Sequence, residues 1–170
     1  IAFEAADVER ARGNGAHAGI DMENPWRAPV VAVEDGRVEH AESALGGCML
    51  YLYGRSGTMY LYIHLNNDRT AKRDNSGSCV PGIAYANGLK TGSRVKAGQL
   101  IAYNGDSGDA EGIYHLHFEV HPNDGADVNP RPYLNEAPRL LFPVQTTAKP
   151  VTVGLKGTAK LYGRRIFLGY

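Results

Sequence analysis

The sequence predicts a mostly β protein built from antiparallel strands and hairpins. Short runs rich in Val, Ile, Tyr and Leu are bounded by Gly, Asn, Asp or Ser, which is the pattern of strands joined by turns. No stretch carries a sustained helical stripe of apolar residues. With 170 residues, the chain is long enough for one domain with a hydrophobic core and too short for two full-sized domains.

The predicted strands lie in four runs, which cover residues 28–42, 48–65, 94–105 and 114–122. In the last run, YHLHFEVHP, polar and apolar residues alternate, so that one face of the strand is polar and the other is apolar. Its polar face carries His115, His117, Glu119 and His121, and its apolar face carries Tyr114, Leu116, Phe118 and Val120. One face can therefore enter a core while the other can bind a metal or titrate.

A long polar loop, residues 66–94, separates the second and third runs and shows no periodic pattern. Loops longer than about 12 to 15 residues usually have a role or are mobile. This loop is therefore either an inert insertion or a wall of a binding groove. Cys79 lies within it, and Cys48 lies in the second run. Paired in an oxidising compartment, they would tie down the loop and stabilise the fold by about 3 to 4 kcal/mol; otherwise they are two unpaired thiols.

The charge balance excludes partners that are attracted by bulk charge. The 18 basic residues equal the 18 acidic ones, so the sequence offers no electrostatic case for nucleic acid or an anionic membrane. No apolar run approaches the roughly 20 residues that span a bilayer. The chain begins with Ile1 and shows no signal-peptide pattern, so we expect a processed or trimmed protein whose targeting segment has been removed.

The segment GAHAGIDM places His17 and Asp21 four residues apart. On a straight strand they would share a face but stand roughly 13 Å apart, too far to bind one ion. A bend between them, which Gly19 permits, would bring them together. With one histidine of the last run they would form a three-ligand site that leaves a fourth position to water, the layout of catalytic zinc. Only this combination indicates a metal site, because an isolated HxxxD pattern recurs by chance.

The run YLYIHL places His64 on the same strand face as Tyr60 and Tyr62. From that strand His64 can face the same cleft as His115. A lone strand histidine is more often a hydrogen-bonded structural group, so His64 alone does not identify a site. His40, in GRVEHAE, is expected to be an ordinary exposed strand histidine.

These motifs together resemble the lysostaphin-like, or LytM-type, zinc metallopeptidases, which cut peptidoglycan peptides. The similarity spans about residues 13–135. In the order of the family, the motifs are HxxxD at His17–Asp21, YxHL at Tyr62–Leu65, a VKAGQ-I turn at Val95–Ile101 and HLHFE at His115–Glu119. The resemblance implies the two-layer antiparallel β-sandwich of this family, with a zinc groove lined by the histidine-rich strand.

The resemblance also implies the residues of the site. One zinc ion per chain would be bound by His17, Asp21 and His117, and a catalytic pair beside it would consist of His64 and His115. Which of these two histidines acts as the base stays open. Glu119 is expected to orient its neighbours through hydrogen bonds, and His121 is expected to be solvated at the end of the strand.

The implied organisation is a LytM-type peptidase domain at residues 1–137, which includes the loop 66–94, followed by a C-terminal β extension at residues 138–170. The implied function is hydrolysis of peptide bonds in peptidoglycan cross-links or stem peptides by a secreted or cell-envelope protein, expected to be a monomer. The bond that is cut stays open. The alternative is a catalytically latent LytM-type module that binds the wall or activates other hydrolases, although such modules typically lose a ligand and all five positions are intact here.

Overall fold

The computed structural model describes residues 17–110, 112–136, 160–162 and 165–167. Of these, the residues up to 136 belong to one compact unit, and two short strands belong to a second unit, in which they pair with each other in antiparallel orientation. The predicted boundary after residue 137 stays a prediction, because residues 1–16 and 137–159 lie outside the described part.

Eight strands lie in the described part of the first unit. They are β1 (Ile20–Glu23), β2 (Pro29–Val31), β3 (Gly36–Ser43), β4 (Gly47–Gly54), β5 (Met59–Leu65), β6 (Arg94–Val95), β7 (Leu100–Tyr103) and β8 (His115–His121). Six form one antiparallel sheet in the order β1-β8-β5-β4-β3-β6, and β2 pairs with β7 in a two-stranded ribbon. A short helix, α1 (Arg131–Glu136), follows, and the second unit contains β9 (Lys160–Tyr162) and β10 (Arg165–Phe167).

The large sheet and the ribbon pack as two layers around one hydrophobic core. The sheet contributes large side chains such as Leu50, Tyr62 and Phe118, and the ribbon contributes Val30 and Ile101. The apolar face predicted for the last run enters this core, since its members Leu116, Phe118 and Val120 are all buried there. The predicted fold class, a mostly β two-layer antiparallel arrangement, is confirmed.

A β-bulge interrupts the end of β5. Cys48 of β4 pairs with Leu65 and Leu50 pairs with Tyr62, so that Ile63 and His64 together oppose one residue of β4. His64 has a left-handed backbone, with φ of 60°. Regular alternation would point His64 into the core with Tyr62, whereas the bulge turns it to the opposite face. The predicted shared face of His64 and Tyr62 is therefore wrong, because a bulge cannot be read from alternation.

The long loop packs as part of the fold. The Cys48–Cys79 disulfide ties it to β4, which is one of the two states that the sequence left open for these cysteines. The Tyr85 hydroxyl lies 3.1 and 3.0 Å from the carbonyl oxygens of Ala41 and Met49 and can donate to either. The buried apolar residues of the loop are Ala84, Tyr85, Ala86 and Leu89.

His40 is not the exposed strand histidine that the sequence predicts. Its ring stacks on Tyr85 with centroids 3.6 Å apart and planes 9° apart, and burial lowers the pKa of His40. The prediction considered only the strand, and the ring is covered by a loop that is distant in sequence. Among the described helices, none is long and apolar enough to cross a membrane.

Candidate metal centre

Two neighbouring strands bring the predicted ligand residues together. β1 runs antiparallel to β8, with Asp21 directly opposite His117. Side chains of such a pair leave the same face of the sheet and lie within contact distance of each other. His17 precedes β1, and the chain bends at Ala18 and Gly19 between His17 and the strand.

Three atoms of ligand type converge at this point. His17 Nε2 lies 3.2 Å from Asp21 Oδ1 and 2.9 Å from His117 Nδ1, and the last two atoms lie 2.8 Å apart. Ligand atoms of a tetrahedral zinc ion, each about 2.0 to 2.1 Å from the metal, are about 3.3 Å apart, so the triangle fits zinc after a small expansion. Within the described ranges, no other group of three or more His, Cys, Asp or Glu residues has this arrangement.

Gly19 is required by the close approach of β1 to β8. A Cβ atom at this position would lie 2.4 Å from the Phe118 carbonyl oxygen and 2.9 Å from His117 Nε2. Any larger residue would therefore push the bend away from the ligand residues. The sequence predicted that Gly19 permits a bend, and the structure adds that it leaves room for His117.

The electrostatics of the triangle favour a cation. Burial disfavours the charge of Asp21, but a hydrogen bond with His117 and the neighbouring histidines outweigh burial and hold the pKa of Asp21 at about 2. Burial also opposes a charge on His117, yet hydrogen bonds with Asp21 and Glu119 raise the pKa of His117 to about 9. A metal ion would take the place of the proton that these carboxylates stabilise.

Glu119 fixes the orientation of His117. Its Oε1 lies 2.9 Å from His117 Nε2, and its Oε2 lies 2.7 Å from His121 Nε2. Since a carboxylate accepts, His117 donates from Nε2, so Nδ1 is the ring nitrogen that faces the triangle and would bind the metal once its proton is displaced. Glu119 thus has the orienting contacts that the sequence predicts. His121 is only partly exposed and also bonds the Gly125 carbonyl oxygen, so the predicted simple solvation is wrong.

His64 and His115 lie beside the triangle on the same face. Their ring centroids are 4.7 Å apart, and the ring of His64 is 6.2 Å from that of His117. Both rings are buried. The Nδ1 atoms lie 2.8 Å from the Ser107 carbonyl oxygen for His64 and 2.9 Å from the Ile113 carbonyl oxygen for His115, so both donate from Nδ1 and keep Nε2 for other partners.

Two residues that support His64 were not identified from the sequence. Ser107 accepts the His64 proton through its carbonyl oxygen, and its hydroxyl accepts from Cys48 N–H and donates to the Leu65 carbonyl oxygen. Asp109 Oδ1 lies 3.7 Å from His64 Nε2. Both belong to the glycine-rich loop NGDSGDAEG, which has no period that could assign its side chains to a face.

No protein-family model matches the sequence. An uncharacterized metalloprotease of Haemophilus influenzae is 34% identical over 116 residues, which are 67% of this chain and 20% of that protein. The murein hydrolase activator NlpD of Escherichia coli is 31% identical over 120 residues, 71% of this chain and 26% of that protein. The lipoprotein NlpD of Yersinia enterocolitica is 32% identical over 106 residues, 62% of this chain and 89% of that protein. The chain thus spans about a fifth to a quarter of the length of the first two relatives.

Solved structures share the fold. The catalytic domain of lysostaphin from Staphylococcus simulans superposes with a TM-score of 0.57 at 27% identity, covering 75% of this chain and 85% of that chain. LytU gives 0.58 at 28% identity, covering 78% and 81%. A zinc-containing peptidase from Vibrio cholerae gives 0.51 at 31% identity, covering 66% and 29%.

Proposed function

The chain belongs to the LytM family of peptidases, and on that premise we propose that it is a zinc-dependent endopeptidase that hydrolyses peptide bonds in the cross-links or stem peptides of bacterial peptidoglycan. The observation that supports this most directly is the triangle of His17, Asp21 and His117 with the rings of His64 and His115 beside it. Similar proteins named as a metalloprotease and as a zinc-containing peptidase agree with it.

The chain's own residues would prepare the metal site for hydrolysis. His17, Asp21 and His117 would hold one zinc ion, and Glu119 would keep the His117 ring in place by accepting from its Nε2. When bound, zinc supplies a Lewis acid that polarises a peptide carbonyl and increases the acidity of water.

Proton transfer falls to the two histidines beside the triangle. Burial is the largest influence on His64 and lowers its pKa to about 4. His64 is therefore neutral at neutral pH, with a lone pair on Nε2, and we assign it the role of proton acceptor. His115 Nε2 has no hydrogen-bond partner among the described residues and lies 3.8 Å from Asp21 Oδ1. From there the protonated form of His115 would donate from Nε2 to the carbonyl oxygen of a bound peptide.

Hydrolysis of purified peptidoglycan, followed as newly released amino groups, tests the proposal. We expect activity that a chelator abolishes and that zinc restores, and the freed termini identify the bond. His17→Ala should lose both zinc and activity, which separates this site from an adventitious metal. A folded, zinc-loaded protein that releases no amino groups would contradict the enzyme assignment.

An alternative function is activation of another wall hydrolase. The observation that favours it is the 31% identity to a protein named murein hydrolase activator. In that case the protein should increase the rate of a separate murein hydrolase without releasing amino groups by itself, and His115→Ala should leave that increase unchanged. Loss of the increase in His115→Ala would link it to the peptidase site instead.

We also propose a secreted or cell-envelope location. The Cys48–Cys79 disulfide is typical of proteins in oxidising compartments, and a relative is named a lipoprotein. Exported protein with this bond intact, detected by thiol labelling before and after reduction, is the expected result. Free thiols in protein taken from its native compartment would contradict it.

A further inference from the structure

A groove of about 370 Å³ opens between the end of β1, the segment before β8 and the long loop. One part of its wall comes from the end of β1, with Glu23 and Asn24, and another from Ile113 and Tyr114 just before β8. Glu23 pairs directly with His115 across the two strands. The groove therefore adjoins the proposed peptidase site on the side of His115.

The long loop supplies the one basic residue of this groove's lining, Arg73. The centre of its guanidinium lies 4.5 Å from the centroid of the Tyr114 ring. Its Nε lies 3.9 Å from Asp106 Oδ2, and the side chain is 48% exposed although Asp106 is buried. A contact through Nε leaves N–H donors on the two terminal amino groups for other partners.

An ordered turn presents Arg73 to the groove. Asn75 N–H donates to the buried carboxylate of Asp68 at 2.7 Å, and Arg69 Nε donates to the Ser76 carbonyl oxygen at 3.0 Å. Stacking on Tyr114 further restricts the guanidinium. A guanidinium that is held in place loses less side-chain entropy when it binds a ligand.

The groove's charges indicate what Arg73 would bind. A planar guanidinium matches a carboxylate with two parallel hydrogen bonds. The Glu23 carboxylate has no hydrogen-bond or ion-pair partner among the residues that the structure describes, and it would repel an acidic group placed near it. An acidic group in the groove would therefore be directed to the Arg73 side.

Resting on the proposed function, we propose that Arg73 is a specificity-determining residue that binds a carboxylate of the substrate peptide in this groove. The peptide bond to be cut would then lie at the metal site next to it. The long loop would act as a wall of the substrate groove, one of the two roles that its length suggests.

Calorimetric titration of the zinc-loaded full chain tests this proposal. The probes are a synthetic peptidoglycan stem peptide with free carboxylates and the same peptide with those carboxylates amidated. We expect the free form to bind about 10- to 100-fold more tightly, the range for a hydrogen-bonded charged group. Arg73→Gln should remove this preference, and Arg73→Lys should restore part of it.

Two matched variants serve as controls. Lys72→Gln removes the same charge from the neighbouring position, which does not line the groove, and should keep the preference. Glu23→Gln removes the negative charge from the groove, so the preference for the peptide with free carboxylates should stay the same or increase. Unchanged thermal unfolding would show that each variant is folded.

The binding result is independent of turnover. A preference that Arg73→Gln abolishes supports the proposal even if the protein cuts no peptide, in which case only the proposed hydrolysis fails. Equal binding or no binding of the two peptides by the unaltered protein overturns the role of Arg73, even if hydrolysis is observed. The role of Arg73 is also overturned if the Arg73→Gln variant still prefers the peptide with free carboxylates.

Discussion

Three histidines of the candidate site are each held by a hydrogen bond on the nitrogen that faces away from the reacting region. Glu119 accepts from His117, the Ser107 carbonyl from His64 and the Ile113 carbonyl from His115. Carbonyl and carboxylate oxygens only accept, so each of these bonds fixes a proton on one ring nitrogen and leaves the other nitrogen to face the site. The chemistry of the site is thus determined by neighbours as much as by the histidines themselves.

Replacing His64 or His115 by Ala should lower peptide turnover by a factor of about 100 to 1,000, which is the usual effect of removing one catalytic hydrogen-bonding group. Neither residue belongs to the ligand triangle, so the zinc content should remain at one ion per chain. Turnover and metal content measured on the same samples check both statements. Near-native turnover of a well-folded His115→Ala protein would refute its assigned role.

Gly19→Ala should weaken both the fold and zinc binding. The added Cβ would lie 2.4 Å from the Phe118 carbonyl oxygen, and such overpacking costs about 1 to 3 kcal/mol of unfolding free energy. Gly125→Ala is the control, because φ there is −97° and the nearest atom to an added Cβ is 3.1 Å away. Equal stability of the two variants in urea unfolding would contradict this account of Gly19.

Asp106 should make stability depend on pH. Burial, with a smaller contribution from Asp68, raises the pKa of Asp106 above the ordinary 3.8. A raised carboxyl pKa contributes stability that is present below the unfolded-state pKa and is lost as the pH rises through the folded-state pKa. Asn cannot ionise, so the unfolding free energy of Asp106→Asn relative to the unaltered protein should increase from about pH 4 to about pH 7.

The control for this pH effect is Asp74. A hydrogen bond with Ser76 lowers the pKa of this exposed carboxyl, so Asp74→Asn should show no increase over the same pH range. Urea unfolding at several pH values provides the measurement. A flat difference for Asp106→Asn would mean that Arg73 fully compensates the buried charge.

Among the elements of the fold, two irregular ones add to the regular sheet near the site. They are the bulged end of β5 and the long loop that the disulfide attaches to β4. The bulge at the end of β5 brings His64 to the face that carries His115. The long loop is connected to β4 by the disulfide and packs Tyr85 against the backbone of β3 and β4. The sheet provides a rigid base, and these two irregular elements add the side chains that regular strands would not place there.

Removing the disulfide should destabilise the protein without removing the metal ligands. The bond joins residues 31 positions apart, and closing a loop of this size contributes about 3 to 4 kcal/mol of unfolding free energy. Urea unfolding of the Cys48→Ala, Cys79→Ala double variant should show a loss of this order, with zinc still bound under native conditions. An unchanged midpoint would mean that packing of Tyr85 holds the loop by itself.

At the scale of the whole molecule, the site depends on residues that are far apart in sequence. Asp21 and His117 are separated by 96 positions and meet because β1 and β8 are neighbours in the sheet. Both strands pack into the core between the sheet and the ribbon, which holds them in place. All predicted site residues, the disulfide and this core lie within residues 17–136.

A fragment that ends at residue 137 should therefore fold and bind zinc. Since the core and the ligand residues lie within it, we expect the fragment to bind zinc as tightly as the full chain does and to unfold in one cooperative thermal transition. Calorimetry and circular dichroism check these expectations. A fragment that does not fold would show that residues 138–170 belong to the same folding unit and would refute the predicted boundary.

Features that depend on local periodicity and on the order of the motifs could be predicted from the amino-acid sequence. Alternation along YHLHFEVHP separates a core face from a polar face, and the spacing of His17 and Asp21 requires a bend at Gly19. The fold class could also be predicted, since strand-forming runs are local. With two cysteines in the chain, Cys48 and Cys79 are the one possible pair, but the sequence left open whether they are bonded.

Features that depend on contacts between distant segments could be seen in the folded structure but not predicted from the sequence. The turn of His64 away from Tyr62 results from a bulge in the pairing of two strands, and the burial of His40 results from a loop that folds over it. The support of Ser107 for His64 and the place of Arg73 in the groove have no signal in the sequence. Loop residues have no period, so their positions follow from the packing of the whole molecule.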